Sequence, residues 1–256
     1  MNTPFDFAGC RIAIAGGSRG IGRAIALAFL RAGAGVAVCA RGQDGLEAMN
    51  RDAGADAGRL HVQRCDLAKP DEIGRWIADA ANALGGIDVL VNNAGIGMRT
   101  VNPDFMTDPM AFWRISPDGF RDLLATNVLG YFLVARAVVP HMLEAGRGKI
   151  VNISINESTM RRRGFTPYGP SRAATDALSH IMAADLAGTG IDVNLLLPGG
   201  ATRTGMTPDS APAHVQATWL DPAIMGPPIC WLASRASDGL TDQRIVATEF
   251  ADHEPA

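Results

Sequence analysis

Short apolar runs alternate with longer amphipathic, alanine-rich segments along most of this chain. The short runs predict strands and the longer segments predict helices, because helices need more residues than strands to bury one face. Predicted strands lie near residues 10–15, 35–40, 59–65, 87–92, 149–154, 191–197 and 244–247. Predicted helices lie near residues 20–33, 43–54, 70–84, 117–145, 169–188 and 221–234. The alternation is typical of an α/β protein with a parallel sheet of about seven strands and helices on both faces.

The sequence shows no internal boundary. No repeat, linker or low-complexity segment interrupts the alternation, and 256 residues suffice to bury one sizeable core. We therefore expect residues 1–256 to form a single domain around a doubly wound parallel sheet.

The charge balance indicates which classes of molecule this protein is expected to bind. The chain is 47% hydrophobic and 19% charged, and its formal net charge is −3. Such a balance gives no electrostatic reason to bind nucleic acid or an anionic membrane. We therefore expect a small-molecule ligand, with neither nucleic acid nor membrane as a partner.

The cysteines and the N-terminal residues bear on the cellular compartment. Four cysteines lie far apart without paired metal-ligand spacing, namely Cys10, Cys39, Cys65 and Cys230. This predicts buried, reduced thiols and no metal site. The N-terminus has no basic segment followed by an apolar core, and no run reaches the roughly 18 apolar residues that a membrane span needs. The expected location is the cytoplasm.

A glycine-rich turn, AGGSRGIG over residues 15–22, follows the first predicted strand and opens the first predicted helix. Glycines here permit a tight turn, close backbone approach to a phosphate and close packing of helix on strand. A pyrophosphate would bind the free N–H groups of the helix N-terminus, where the helix dipole favours negative charge. The pattern is typical of a Rossmann-type dinucleotide-binding fold. The predicted cofactor contacts in this turn are Gly16, Ser18, Arg19, Gly20, Ile21 and Gly22.

The end of the second predicted strand indicates which dinucleotide is bound. An acidic residue there would bind the 2′-hydroxyl of the cofactor ribose, but the strand ends in Ala40 and Arg41. Arg41 and Arg19 can instead converge on a 2′-phosphate, whose charge suits guanidinium groups. The sequence therefore predicts NADP(H) as the cofactor.

Two further strand ends lie at the same edge of the predicted sheet, where ligands of such sheets bind. Asp66 and Leu67 follow the third strand, and Asp66 could accept a hydrogen bond from an adenine amino group. The fourth strand is followed by Asn93, Ala94 and Gly95, whose backbone could lie flat against the cofactor.

A long connection over residues 96–117 carries several aromatic and methionine side chains. Connections of this length in a compact domain are usually functional or disordered, and the apolar content argues against disorder. We expect this connection to form part of an apolar substrate wall or a contact between subunits.

A tyrosine and an arginine stand four residues apart after the fifth predicted strand. If a helix begins at Tyr168, with Pro170 in its first turn, then Tyr168 and Arg172 share one face. A guanidinium beside the phenol would favour phenolate and lower the tyrosine pKa from about 10. Such a tyrosine can exchange a proton with an alcohol or carbonyl oxygen while a nicotinamide exchanges hydride.

The order of these motifs resembles the short-chain dehydrogenase/reductase family. The resemblance rests on the glycine turn, Asn92-Asn93-Ala94-Gly95, Asn127, Tyr168 with a basic residue four positions later, and Pro198-Gly199, and it covers nearly the whole chain. It implies a Rossmann-type α/β domain, oxidoreductase activity and a homodimer or homotetramer.

The resemblance also implies roles for individual residues. Tyr168 matches the general acid/base of the family, and Asn127 matches the asparagine that holds a proton-relay water. Thr202 or Thr204 matches the threonine near the nicotinamide carboxamide, and Pro198 and Gly199 precede it at the cofactor.

The chain departs from the family pattern at two positions of the chemistry. Arg172 replaces the usual lysine. Arginine keeps the positive charge and can still bind ribose hydroxyls, so Arg172 and Tyr168 are both expected to contact the cofactor. Arginine cannot readily pass on a proton, because its pKa is far above neutral pH. The usual serine about thirteen residues before the tyrosine is absent, because that position is Ile155. Asn156 could donate an N–H to the reacting oxygen instead, and Ser154 could serve if the strand carries a bulge.

Two other departures lie outside the chemistry. Ala15 replaces a threonine whose hydroxyl ties neighbouring loops together, and Asp242 stands where a glycine normally precedes the last strand.

A run of three arginines over residues 161–163 predicts a solvated loop face, or contact with an anionic substrate or a partner subunit. Met206 and Trp219 lie where the family has its substrate lid, so an apolar pocket is expected there; His214 has no support as a catalytic acid.

The favoured hypothesis is an NADP(H)-dependent oxidoreductase that interconverts a carbonyl and an alcohol on a small, hydrophobic substrate. A second hypothesis is an NADP(H)-binding protein with weak or no redox activity, because the serine is missing and Arg172 replaces lysine. A third is dehalogenase chemistry, since halohydrin dehalogenases resemble this family and carry an arginine at this position. Their glycine loop has given way to a halide site, whereas Gly16, Gly20 and Gly22 are intact here.

Overall fold

A computed structural model describes residues 5–208 and 210–250. Seven parallel strands form one sheet in the order β3-β2-β1-β4-β5-β6-β7. The strands are β1 (Arg11–Ala15), β2 (Gly35–Ala40), β3 (Leu60–Arg64), β4 (Val89–Asn92), β5 (Gly148–Ile153), β6 (Ile191–Leu197) and β7 (Arg244–Val246). The predicted Rossmann-like α/β fold is confirmed.

Helices connect successive strands and cover the sheet. They are α1 (Gly20–Arg31), α2 (Gln43–Ala53), α3 (Pro70–Leu84), α4 (Pro117–Leu124), α5 (Gly130–Ala145), α6 (Glu157–Met160), α7 (Tyr168–Asp185), α8 (Ala213–Gln216) and α9 (Gly226–Ala233). The predicted helix over 117–145 is interrupted by a π-helical turn at Ala125–Leu129, and the one predicted over 221–234 begins with a 3₁₀ turn at Pro222–Met225.

The central strands are apolar on both faces because each face of the sheet carries its own core, whereas the edge strands β3 and β7 are only partly buried. Alternate residues of a strand point to opposite faces, so Ile12 and Ile14 pack in one core while Ala13 packs in the other. The first core includes Phe29 of α1, and the second includes Trp76 of α3. Two-sided burial explains why the strands read as continuous apolar runs.

The strand order reverses beside β1, which pairs with β2 on one side and with β4 on the other. The helices that follow β1 and β4 therefore cover opposite faces of the sheet, and a crevice opens at the carboxyl ends of these strands. All the loops that carry the predicted site residues lie at this edge of the sheet.

One helix of the described residues, Pro117–Ala145, is long and apolar enough by composition to cross a membrane. This corrects the expectation that no segment reaches that length. Val134, Val138 and Met142 of this helix are buried in the second core with Leu90 of β4. Its apolar composition therefore contributes to packing against the sheet.

Candidate active site

A cavity of about 480 Å³ runs along the crevice. It is lined by most of the predicted site residues, namely Gly16, Ser18, Arg19, Gly20, Ile21, Arg41, Leu67, Asn93, Ala94, Gly95, Ser154, Asn156, Tyr168, Arg172, Pro198, Thr202 and Thr204. Four predicted residues are not part of its wall: Gly22, Asp66, Asn127 and Gly199.

The glycine turn is shaped by backbone that a side chain would obstruct. Gly16 has φ +78°, and a Cβ on it would lie 2.6 Å from Cα of Ala94. The Asn93 amide donates to the Gly16 carbonyl oxygen over 2.7 Å, which ties the loop after β4 to the loop after β1. This bond joins neighbouring loops although Ala15 has no hydroxyl to do so. Gly22 packs directly against the turn, so that a Cβ at this position would collide with the Gly16 carbonyl and the Asn93 amide.

The N-terminus of α1 faces the cavity without a side-chain cap. Arg19 is the N-cap residue, and its side chain makes no capping hydrogen bond. The first N–H groups of a helix have no partner within the helix, so they remain available to an anion. A dinucleotide pyrophosphate fits this end of the cavity.

Arg19 and Arg41 both line this end of the cavity and are exposed. The Arg64 guanidinium donates through Nε to the backbone oxygen of Arg41 over 3.2 Å. Among the described residues, no aspartate or glutamate belongs to the cavity wall. This end of the cavity therefore offers guanidinium donors and no carboxylate acceptor among the described residues.

Asp66 caps the turn that leads into α3 and does not reach the cavity wall. Its carboxylate accepts a hydrogen bond from the Ala68 backbone over 3.1 Å, and its own N–H donates to Glu72 over 2.8 Å. Leu67, the next residue, does line the cavity. Leu67 therefore belongs to the cavity wall and Asp66 lies behind it, and the cofactor contacts of both residues stay predictions.

Helix α7 begins at Tyr168, as the sequence predicts, and places Tyr168 and Arg172 on one face. The Arg172 guanidinium carbon lies 5.4 Å from the centroid of the Tyr168 ring. Arg172 is 3% exposed, and its Nη1 donates to the Tyr131 hydroxyl over 2.8 Å and to the Ile153 backbone oxygen over 3.1 Å. Most of the arginine side chain is therefore committed to the protein interior.

Two phenols surround the Arg172 cation, because its guanidinium carbon also lies 5.5 Å from the Tyr131 ring. Burial alone would lower the pKa of Arg172, but Tyr131 and Tyr168 outweigh it and raise that pKa further above its ordinary value. Burial raises the pKa of Tyr131, and Arg172 opposes this rise. Arg172 therefore acts as a fixed positive charge under Tyr168, while its buried Nε has no hydrogen-bond partner among the described residues.

Asn127 lies in the π-helical turn and is fully buried behind the cavity. Its Oδ1 accepts from the Ile96 N–H over 2.9 Å, and its Nδ2 donates to the Ile96 oxygen over 3.0 Å and to the Ser171 hydroxyl over 3.1 Å. Both ends of the amide are therefore used to hold the segment after β4 against the start of α7. The relay-water role implied for Asn127 stays a prediction.

The three residues after β5 differ in what they offer the cavity. The Ser154 hydroxyl donates to Asp176 over 2.5 Å, so its single proton is engaged. Ile155 presents an apolar side chain. The Asn156 amide donates one N–H to the Gly199 oxygen over 2.9 Å and keeps a second. Asn156 is thus the member of this group with a side-chain donor to spare.

A half-buried ion pair between Asp176 and Arg244 holds this loop in place. Asp176 accepts from Arg244 over 2.7 Å, and the other nitrogen of that guanidinium donates to the Ile155 backbone oxygen over 2.5 Å. Burial raises the pKa of Asp176, although the Ser154 hydroxyl and the Arg244 charge lower it. The position of Ile155 beside the cavity is therefore set by residues of α7 and β7.

The opposite end of the cavity is apolar. Met98, Phe105 and Phe165 form a small cluster with Met106 and Tyr168, and the Phe105 and Phe165 rings meet edge to face at 5.5 Å. The long connection thus supplies a wall of the cavity, which is the first of its two expected roles. Phe112 and Trp113, on the same connection, are 69% and 75% exposed.

The residues after β6 close the cavity from above. Thr202 pairs with Leu220 in a single β-bridge, and the Thr204 hydroxyl accepts from the Met206 N–H over 3.3 Å. Met206 lines the cavity, but Trp219 and His214 do not. Of the residues expected in a substrate lid, Met206 alone belongs to the wall.

Sequence reasoning missed Tyr131, Asp176 and Arg244. Tyr131 follows Asn127 by four residues on one helical segment, and the chain contains only two tyrosines. That spacing was the available signal for Tyr131, because residues four apart share a helix face. Asp176 and Arg244 meet across 68 positions of sequence, and no local pattern marks the pair.

The fold and the site together define a dinucleotide-dependent α/β enzyme, and the comparisons with known proteins agree. The family model for short chain dehydrogenases matches residues 11–214. The chain belongs to the short-chain dehydrogenase/reductase family, whose members are oxidoreductases that use nicotinamide cofactors.

Individual relatives cover most of the chain. Gluconate 5-dehydrogenase of Gluconobacter oxydans is 34% identical over 76% of this chain and 72% of its own length. A short-chain type dehydrogenase/reductase from Mycobacterium marinum superposes with a TM-score of 0.84 and 32% identity, over 94% of this chain and 95% of that one. A short chain dehydrogenase from Burkholderia cenocepacia, solved in complex with NADP, superposes with a TM-score of 0.81 and 26% identity, over 94% of this chain and 96% of that one.

Proposed function

We propose that this protein is an NADP(H)-dependent oxidoreductase that interconverts a carbonyl and an alcohol on a small, largely hydrophobic substrate. One observation carries the proposal. A single cavity joins the uncapped helix end and its two arginines to Tyr168 and an apolar wall. Cofactor, reacting oxygen and hydrophobic substrate body therefore each have a place in one space.

In this reaction, different residues of the chain would bind the cofactor and transfer the proton. The N-terminus of α1 with Arg19 and Arg41 would hold the phosphates, and Thr202 and Thr204 would lie at the nicotinamide end. When bound, the nicotinamide supplies or accepts hydride. Tyr168 would hold the proton that passes to or from the substrate oxygen at its Oη, and the Arg172 cation lies beside its ring.

The reacting oxygen needs a second donor in place of the missing serine. Asn156 is the residue that fits, since its amide retains an N–H after bonding Gly199. Ile155 beside it excludes water from this part of the cavity and donates nothing. This arrangement predicts an oxidoreductase with measurable but low turnover.

The test is to mix purified protein with NADPH and a panel of ketones and to follow the loss of absorbance of the reduced cofactor. The Tyr168→Phe variant should lose at least about 100-fold in kcat, the scale of general acid/base catalysis. The control is the same variant's affinity for NADPH by calorimetry, which should stay close to that of the wild type. Activity that survives the substitution would remove Tyr168 from this role.

A second candidate function is NADP(H) binding with weak or no redox activity, as in a sensor or partner subunit. The observation that favours it is that Ser154 is engaged by Asp176 and Ile155 occupies the serine position. Tight NADPH binding without turnover of any ketone or alcohol would establish it. The cradle formed by Gly16, Gly20 and Gly22 does not favour dehalogenase chemistry, which replaces that cradle with a halide site.

We further propose a cytoplasmic homodimer or homotetramer, a kind of assembly typical of the family. Exposed apolar side chains lie on the helical segment that contains α4 and α5, among them Phe120, Leu129 and Phe132. Such side chains are typical of contact surfaces. Light scattering should give a multiple of the 26.9 kDa chain mass.

A further inference from the structure

Four arginines line the cavity, and one of them has no role in the proposed reaction. Arg19 and Arg41 lie at the phosphate end, and Arg172 is held under Tyr168. The fourth is Arg162, which belongs to the three-arginine run before α7. No carboxylate of the described residues shares this wall, so its charge is not balanced within the cavity.

Arg162 differs from its neighbour in how its charge is engaged. Arg161 forms an ion pair with Glu157 over 3.2 Å and does not line the cavity. The Arg162 guanidinium carbon lies 4.9 Å from the centroid of the Phe165 ring, and its side chain makes no ion pair with any described residue. The stacked ring orients the guanidinium while leaving its N–H groups for another partner.

A continuous apolar path leads from Arg162 toward Tyr168. The Phe165 ring that carries the Arg162 guanidinium lies 6.5 Å from the Tyr168 ring and 5.5 Å from the Phe105 ring. The Arg162 guanidinium and the Tyr168 ring are therefore both neighbours of one aromatic side chain, Phe165. A molecule that lies along Phe165 can reach both.

We propose that Arg162 binds an anionic group, a carboxylate in the first instance, at the end of the substrate remote from the reacting carbonyl. This inference builds on the proposed function for the position of that carbonyl at Tyr168. The apolar body of the substrate packs on Phe165 and Phe105, and the carboxylate pairs with the guanidinium at the cavity mouth. The substrate class is thus a hydrophobic keto acid or hydroxy acid, and Arg162 is a specificity-determining residue.

The test compares binding of 4-acetylbenzoate with that of 4-methylacetophenone, a neutral ketone of similar size. Calorimetry on protein saturated with NADP⁺ measures both dissociation constants without turnover, so the result stands whether or not the protein reduces ketones. The wild type should prefer the anionic ketone. Arg162→Met should reduce that preference about 10-fold, as expected for loss of one charge-assisted contact at a partly solvated site.

Arg163→Met is the matched control, because Arg163 is adjacent in sequence, carries the same charge and does not line the cavity. It should leave the preference unchanged, while Arg162→Lys should retain part of it. The proposal is overturned if Arg163→Met has the same effect, if Arg162→Met weakens both ketones equally, or if the wild type binds neither ketone. If the preference for the anionic ketone depends on Arg162 but no ketone is turned over, the result supports the anion site. It then contradicts only the proposed reaction.

Discussion

At the scale of single residues, the side chain that matters most to the site is one that never reaches the cavity. Tyr131 is fully buried, accepts from Arg172 over 2.8 Å and donates to the Ile153 oxygen over 3.2 Å. It holds the guanidinium beneath Tyr168 from a position 41 residues earlier in the chain. Gly95 completes the arrangement, since a Cβ there would collide with Arg172.

Tyr131→Phe should lower the free energy of unfolding by about 1–3 kcal/mol, because it removes a hydroxyl that bonds a buried cation. Urea unfolding followed by circular dichroism measures the change. Tyr168→Phe deletes the same atom from a half-buried ring and should cost less than about 1 kcal/mol. Equal losses in the two variants would show that the phenol of Tyr131 does not support Arg172.

At the scale of elements, an ion pair between Arg11 and Asp88 joins the first residue of β1 to the residue before β4. Asp88 accepts from Arg11 Nη2 over 2.7 Å and from Nε over 2.8 Å, and it also accepts the Arg11 backbone N–H over 3.0 Å. Burial acts against the Asp88 carboxylate, but the hydrogen bonds and charge of Arg11 outweigh it and lower the Asp88 pKa below its ordinary value of 3.8.

Because this pKa is lower in the folded protein than in the unfolded chain, the pair stabilises the fold above pH 3.8, and this contribution is lost as the pH falls through the folded-state pKa. Asp88→Asn should therefore cost about 1–3 kcal/mol at pH 7. The difference from the wild type should shrink steadily below pH 4. Urea unfolding over this pH range checks it. Asp118→Asn, which removes an exposed partner of Arg121, is the control and should have little effect at any pH.

The turn that leads into β7 explains why a glycine is usual before the last strand. Asp242 has φ +60°, a left-handed conformation that aspartate tolerates better than most residues. Its N–H donates to the Val193 oxygen over 2.8 Å, and its carboxylate contacts His180 over 2.5 Å.

Asp242→Ala should destabilise the protein by about 1–2 kcal/mol, because alanine in this conformation is strained and the contact with His180 is lost. Asp242→Gly should lie within about 1 kcal/mol of the wild type, since glycine adopts this φ without strain. Thermal unfolding of both variants separates the two contributions. A glycine variant as unstable as the alanine variant would assign the effect to the His180 contact.

The elements themselves were predictable because they depend on local periodicity. Strands β2 and β6 and helix α3 have the predicted bounds, and the other strand ends differ by one or two residues. The π-helical turn at Ala125–Leu129 was not predictable, because its sequence continues the helical pattern on both sides. The turn places Asn127 between Ile96 and Ser171, which are contacts set by tertiary packing.

The site was predictable only as far as its motifs are contiguous. The glycine turn and the pair Tyr168 and Arg172 each lie within a short contiguous segment, so their spacing gave their geometry. The partners of Ser154 and Arg172 come from other elements, which is why the engaged hydroxyl and the buried cation could not be foreseen. The place of Asp66 at a strand end predicts a cofactor contact, but it gives no sign that the carboxylate also accepts a hydrogen bond from Ala68 in the turn before α3.

At the scale of the whole molecule, the cavity couples cofactor binding to stability. A ligand that binds only the folded state at 100 times its dissociation constant stabilises it by about 2.7 kcal/mol, which for a chain of this size raises Tm by roughly 5–10 °C. NADPH should produce such a shift, and NADH at the same concentration a smaller one.

The double variant Arg19→Ala and Arg41→Ala should abolish the difference between the two cofactors in a thermal-shift assay. Arg51→Ala is the control, because Arg51 is an exposed arginine of α2 that does not line the cavity. A wild-type protein stabilised equally by NADPH and NADH would contradict the assignment of the two arginines to the 2′-phosphate.

The strand order also bears on how the molecule assembles during synthesis. Of the seven described strands, β1 is synthesised first and becomes an interior strand, and β2 and β3 extend the sheet on one side of it. β4 joins the free edge of β1, and from β5 onward each new strand joins the edge formed by its predecessor, ending with β7. The growing chain can therefore add strands one at a time to an existing edge, and no strand has to be inserted between two that have already paired.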